Sequence, residues 1–100
     1  MNISKTQNGT ALTIGLEGKL DTLTAPELET VIKNELDGVT ELKMDLSNLE
    51  YISSSGLRLL LSAQKTMDGK GTMTVLNPGE MVNEVLEVTG FSDILNIERI

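Results

Sequence analysis

The sequence predicts an α/β fold in which a mixed β-sheet, an N-terminal antiparallel hairpin plus parallel strands, is flanked by helices. Three observations lead there. The spacing of apolar residues switches repeatedly between a period of two and one of about 3.6. Asn8-Gly9 separates the first two alternating runs. Leu, Ile, Val and Met must fill the interior almost alone, because Phe91 and Tyr51 are the only aromatics. An aliphatic interior of that kind suits helices on a sheet better than an aromatic-rich sandwich. With 100 residues there is material for one core, so residues 1–100 are expected to form a single domain.

Met1 and Ile3, then Ala11, Leu12, Ile14, Leu16 and Leu20, alternate with polar or small residues and give two strands joined as a hairpin. At Thr24 the signal changes. Thr24 with Glu27 forms a capping-box pair, Pro26 sits in the first turn, and Leu28, Val31, Ile32 and Leu36 follow the helical repeat until Gly38. Leu42, Met44 and Leu46 alternate with Lys43 and Asp45 as a short third strand. A second helix is expected to start in the run Ser53-Ser54-Ser55, whose hydroxyls serve unpaired helix amides, and to run to Met67, with Gly69 and Gly71 closing it. Met73 and Val75 mark a fourth strand. Asn77, Pro78 and Glu80 repeat the start signal for a third helix with Met81, Val82, Val85 and Leu86 as its buried stripe, Gly90 as C-cap and Phe91 as the contact beyond. Ile94 to Ile97 supplies a last short strand or an extended tail. Strands that alternate with helices call for right-handed crossovers and a largely parallel sheet, the hairpin adding an antiparallel edge.

Composition narrows the function. Eight Lys plus Arg against fifteen Asp plus Glu give a net charge of −7, which repels phosphate backbones and anionic lipid, so neither nucleic acid nor a membrane surface is an expected partner. The absence of His and Cys removes disulfides, structural zinc, Cys or His nucleophile systems and the imidazole base, so no metal or cofactor is expected. No charged start followed by an apolar stretch is present, and the longest purely apolar run is Leu59 to Leu61, so neither export nor a membrane span is expected and the protein belongs in the cytosol.

The serine run is the one place where composition departs from what packing needs. On a helical wheel of roughly 100° per residue, Ser55, Arg58, Leu59 and Ser62 share one side, while Leu57, Leu60, Leu61 and Met67 share the other. Ser55 then points outward beside an exposed Leu59, where free amides and the helix dipole accept added negative charge. The same cluster also reads as an ordinary N-cap. Asp21, likewise, reads either as a contact residue beside the serine loop or as the start of a turn ahead of Thr24.

The stretch Asp45-Leu46-Ser47 followed by Tyr51-Ile52-Ser53-Ser54-Ser55-Gly56-Leu57 resembles the signature of the STAS domain, in its bacterial anti-sigma factor antagonist branch. Gly18-Lys19-Leu20-Asp21 with Thr24-Ala25-Pro26-Glu27-Leu28, and Thr89-Gly90-Phe91, resemble two further segments of that family in the same order, so the likeness covers essentially the whole chain. The resemblance implies a STAS-like fold and a switch protein, not an enzyme. In that branch the unphosphorylated antagonist sequesters an anti-sigma factor, a GHKL-type serine kinase, and so frees a sigma factor for transcription. The kinase phosphorylates the serine before the motif glycine, here Ser55, and a PP2C-type phosphatase restores it. Ser53 stands where regulated members often carry Asp, which leaves Ser54 as a second candidate. The expected partner-binding residues are Asp21, Ser53, Ser54, Gly56, Arg58, Leu59 and Ser62, on a chain that is monomeric when free.

Two other classes compete. A serine enzyme would need Lys65 or Lys43 buried beside Ser55 to replace the missing His. A non-phosphorylated STAS scaffold regulating a transporter or a lipid-trafficking ATPase would use the same face. Nucleotide binding is disfavoured, since no GxxxxGK loop occurs.

Overall fold

The computed structural model describes residues Met1–Ile100. Its elements are β1 (Asn2–Asn8), β2 (Ala11–Leu20), α1 (Ala25–Glu35), β3 (Glu41–Ile52), α2 (Ser54–Asp68), β4 (Thr72–Leu76), α3 (Glu80–Val88), a 3-10 turn (Phe91–Asp93) and β5 (Ile97–Glu98). The five strands lie in the order β1-β2-β3-β4-β5, with β1 antiparallel to β2 and every other pair parallel. This is the mixed, helix-flanked sheet that the alternating pattern predicts.

Each helical connection moves one strand along in the same direction, and right-handed crossovers of that kind put all three helices on one face. Burial agrees. Leu12, Leu42 and Met73 are cross-strand neighbours, as are Ile14, Met44 and Val75, and all six are buried in a single cluster with Leu28 of α1, Leu60 and Met67 of α2, and Val82 and Leu86 of α3. The intervening residues Thr13 and Lys43 face the other way and are only partly covered. Lys5, paired with Ile14, faces the helices and its Nζ meets Glu35 Oε1 of α1 at 2.7 Å, a solvent-exposed charge on the β1 edge. No buried side-chain polar atom lacks a hydrogen-bond partner.

Four local expectations are corrected. Thr24 does not cap α1 through its side chain, because its hydroxyl is bonded back towards β2. Asn77 does not cap α3: Gly79 holds that position, while Asn77, at φ 49°, uses Oδ1 to accept from the Ile100 N–H. Met81 is not in the buried stripe but 58% exposed, leaving Val82 and Leu86 buried and Val85 partly so. The third strand is longer than its apolar core, because β3 continues past Leu46 alongside β2 to the pair Leu20 and Ile52. Gly71 serves a close crossing, since a Cβ there would lie 1.9 Å from the Thr40 carbonyl oxygen. Gly90, as expected, takes the left-handed conformation (φ 82°) just beyond α3.

The length of β3 decides where α2 begins. Two register irregularities in the β2–β3 pair, one at Gly18 with φ 102°, let the strands run on until Ser53 N donates to Leu20 O at 2.9 Å. The start of α2 is thereby fixed against the end of β2.

Candidate functional site

The site is built from the two chain segments that leave the sheet at this end. After β2, Asp21 Oδ1 accepts from the backbone N–H groups of Leu23 (3.0 Å) and Thr24 (3.1 Å), folding residues 21–24 into a turn. The Thr24 hydroxyl accepts from Asp21 N at 2.9 Å and donates to Lys19 O at 2.8 Å, tying the turn back to the strand. The Thr24 N–H, followed by the Leu23 N–H, the Thr24 hydroxyl and the Lys19 charge, holds the Asp21 carboxyl below its ordinary value against an opposing cost of lost water.

After β3, Ser53 is the extended N-cap of α2, and its Oγ accepts from Gly56 N at 3.4 Å. Ser54 is exposed, and Ser55 is half-buried. The Ser55 hydroxyl lies 3.3 Å from the Thr22 hydroxyl, so the two segments meet through a side-chain hydrogen bond. Thr22, Ala25, Pro26 and Glu29 form one wall of a groove whose other wall is Ser55, Arg58 and Leu59. At about 240 Å³ the groove falls below the roughly 300 to 1,000 Å³ of small-molecule pockets.

The residues singled out from the sequence fare differently. Ser53, Ser54 and Ser55 form the mouth of α2, with Arg58 one turn along, exposed and outside both ion pairs of the molecule. Asp21 makes no hydrogen bond to Ser55; its carboxylate is spent on its own turn, and the neighbouring Thr22 bonds the serine hydroxyl. Gly56 is not a surface residue. It is buried, and a Cβ there would lie 2.7 Å from Leu20 Cγ and 2.8 Å from Ile52 Cγ1, so the glycine seats α2 on the strands. Leu59 is half-buried and packs against the core, where the wheel places it exposed. Ser62 is exposed but about two turns from Ser55, beside Arg58, Leu61, Lys65 and Thr66.

Two residues of this site were not singled out from sequence. Thr22 contacts Ser55 across 33 positions of chain, and Leu23 is 88% exposed at the tip of the turn. A leucine inside a Thr-Leu-Thr turn, outside any helical phase, is the one signal that pointed to it.

Along α2 as far as Met67 the charge is one-sided, while the facing wall of the groove carries Glu29. No Asp or Glu occurs from Ser53 to Met67, whereas Arg58 and Lys65 lie on the outer face. No group of three or more acidic side chains is arranged to hold a metal ion, and no helix is long and apolar enough to cross a membrane. The arrangement offers a hydroxyl at a helix start and a preformed surface around it.

Comparison with known proteins gives a consistent result. The family model described as STAS domain matches residues 2–99. An anti-sigma-B factor antagonist from Staphylococcus aureus is 27% identical over 101 residues, covering 99% of this chain and 94% of that protein. The fold is similar to that of the anti-sigma factor antagonist SpoIIAA in its unphosphorylated form, with a TM-score of 0.87 at 20% identity over 99% of this chain and 88% of the other. It is also similar to the Bacillus cell fate determinant SpoIIAA in the phosphorylated form, with a TM-score of 0.79 at 19% identity over 99% and 91% of the two chains. At those identities the structural likeness speaks for the fold alone.

Proposed function

This chain belongs to the STAS domain family, and from that premise we propose that it is an anti-sigma factor antagonist, switched by phosphorylation of Ser55. Unmodified, it binds an anti-sigma factor that is itself a serine kinase and so releases a sigma factor for transcription. Phosphorylated, it lets go, and a PP2C-type phosphatase restores it. The protein acts in the cytoplasm as a binding module and as the kinase's substrate, with no catalytic group of its own. The names carried by its full-length relatives, anti-sigma-B factor antagonists, favour this reading over the transporter or ATPase scaffold.

The observation that carries the proposal is the setting of Ser55: a half-exposed hydroxyl at the start of α2, lining a groove with Thr22, Ala25, Pro26, Glu29, Arg58 and Leu59. A phosphoryl group brings about −1.5 to −2 charges and a tightly held hydration shell, which a close-fitting interface rejects. The domain itself tolerates the anion, because the helix dipole contributes about 0.3 to 1 kcal/mol in its favour. The switch therefore acts on affinity and leaves stability nearly untouched. Ser53 in place of Asp keeps the helix start, because serine and aspartate are comparable N-caps and Ser53 fills that role.

The test mixes the chain with its anti-sigma partner and ATP, follows the intact mass, maps the phosphopeptide, and titrates Ser55→Asp against the partner by calorimetry. Phosphate on Ser55 and a loss of affinity in Ser55→Asp are expected. Phosphate on Ser54 instead, or full affinity in Ser55→Asp, would sink the proposal.

A further inference from the structure

Resting on the reading of Ser55 as the phosphorylated residue, we propose that Thr22 is a positioning residue for that transfer, its hydroxyl holding the Ser55 hydroxyl in the conformation that reacts. The 3.3 Å contact between them is the one hydrogen bond of the Ser55 side chain, and either oxygen is able to donate. Without it the serine would exchange among staggered χ1 wells at a half-open surface.

Both ends of the contact rest on fixed backbone. Thr22 sits inside the turn closed by Asp21 Oδ1 and by the Thr24 hydroxyl on Lys19 O. Ser55 belongs to the first turn of α2, which Gly56 seats against Leu20 and Ile52. The pair thus joins two rigid segments and leaves the Ser55 side chain little freedom to turn.

The chemistry decides which hydroxyl donates. Transfer forms a bond from Ser55 Oγ to the γ-phosphorus of the nucleoside triphosphate held by the kinase. It breaks the bond from that phosphorus to the leaving nucleoside diphosphate, and the Ser55 proton passes to a base on the kinase. If Ser55 donated to Thr22, that proton would face away from the base. With Thr22 as donor, the proton is free, one lone pair is held, and the other is open to phosphorus. After transfer Oγ is an ester oxygen with no proton and accepts only, so Thr22 as donor is the arrangement compatible with both ends of the reaction. The bond also strengthens as charge develops on Oγ. Asp21 cannot substitute, because an ionised carboxylate has no proton to give and its Oδ1 already serves two amides.

The test compares Thr22→Val, which keeps the shape and removes the hydroxyl, with Thr22→Ser, which keeps the hydroxyl, in full-length chain with the kinase partner and ATP. Thr22→Val is expected to lose about tenfold in kcat with KM changed by less than about twofold, and Thr22→Ser to stay within about twofold of the parent. A rise in KM at unchanged kcat would make Thr22 a contact residue and overturn the proposal, as would equal losses in the two variants. A second readout needs no kinase: Hα–Hβ couplings of Ser55 in the free chain should report one χ1 rotamer in the parent and Thr22→Ser, and averaging in Thr22→Val. Averaged couplings in the parent would overturn it directly. A single rotamer in a chain that accepts no phosphate on Ser55 would instead bring down the reading on which it rests, so the two failures are told apart.

Discussion

α2 and α3 pack on the same sheet through aliphatic faces, yet their outer surfaces are opposite in kind. Around α2 lie Ser54, Ser55, Arg58, Ser62 and Lys65, with Leu59 and Leu61 half-covered and no acidic residue from Ser53 to Met67. α3 presents Met81 and Val88, 58% and 80% exposed, among Glu80, Glu84 and Glu87 and without a basic residue. Judged by apolar exposure alone, α3 is the better docking face. What α2 has and α3 lacks is a neighbouring hydrogen-bonded turn that holds the Ser55 hydroxyl through Thr22 and carries the exposed Leu23 beside it. Recognition favours groups already held in the geometry they need, because less ordering entropy is lost on binding.

That contrast is open to five tests, in decreasing order of expected effect. Gly56→Ala, which drives a Cβ into Leu20 and Ile52, should destabilise the chain by about 1 to 3 kcal/mol in a urea titration; an unchanged midpoint would show that α2 does not need its tight seat. Leu23→Ala should weaken partner binding about tenfold, or about 1.4 kcal/mol, while the thermal midpoint stays put, since the side chain rests on almost nothing in the free chain. Asp21→Ala should lower affinity less than that by loosening the turn, and Asp21→Asn, which keeps the Oδ1 acceptor, should not. The pH dependence has a definite sign. The folded Asp21 lies below its ordinary 3.8, so its support of the turn is complete above about pH 4 and fades as pH falls through the lowered value. The amide shifts of Leu23 and Thr24 should therefore titrate only under acid conditions, and not in Asp21→Asn. Smallest of all, Met81→Thr with Val88→Thr should change stability by less than about 0.5 kcal/mol and leave partner affinity alone; a loss as large as that of Leu23→Ala would reverse the contrast.

Much of the architecture was legible because periodicity is local. The alternation Leu12, Ile14, Leu16 and the helical spacing of Leu57, Leu60 and Met67 each report which face must be buried, whatever lies opposite. Thr24 does hold the N-cap position of α1, but the side-chain capping signals at Thr24 and Asn77 mislead for a related reason. A hydroxyl or amide ahead of a helix carries the same local signal whether it bonds forward into the helix or back to another segment, and here Thr24 bonds to Lys19 and Asn77 to Ile100. Met81 misleads because position on a wheel says which residues share a side but not how wide the covered stripe is. Ser55 was marked by its place in the serine run together with the family resemblance.

The order of strands and helices, the aliphatic core and the serine at the mouth of α2 were thus settled by the chain's own pattern, since each depends on residues a few positions apart. The tertiary structure decided that β3 runs far enough to bring Ser53 against Leu20, that Gly56 is packed inside instead of offered to a partner, and that Thr22 and Leu23 stand next to Ser55. Those facts depend on strand register and on contacts between distant segments, and a one-residue change in register would move the groups apart without altering any local propensity.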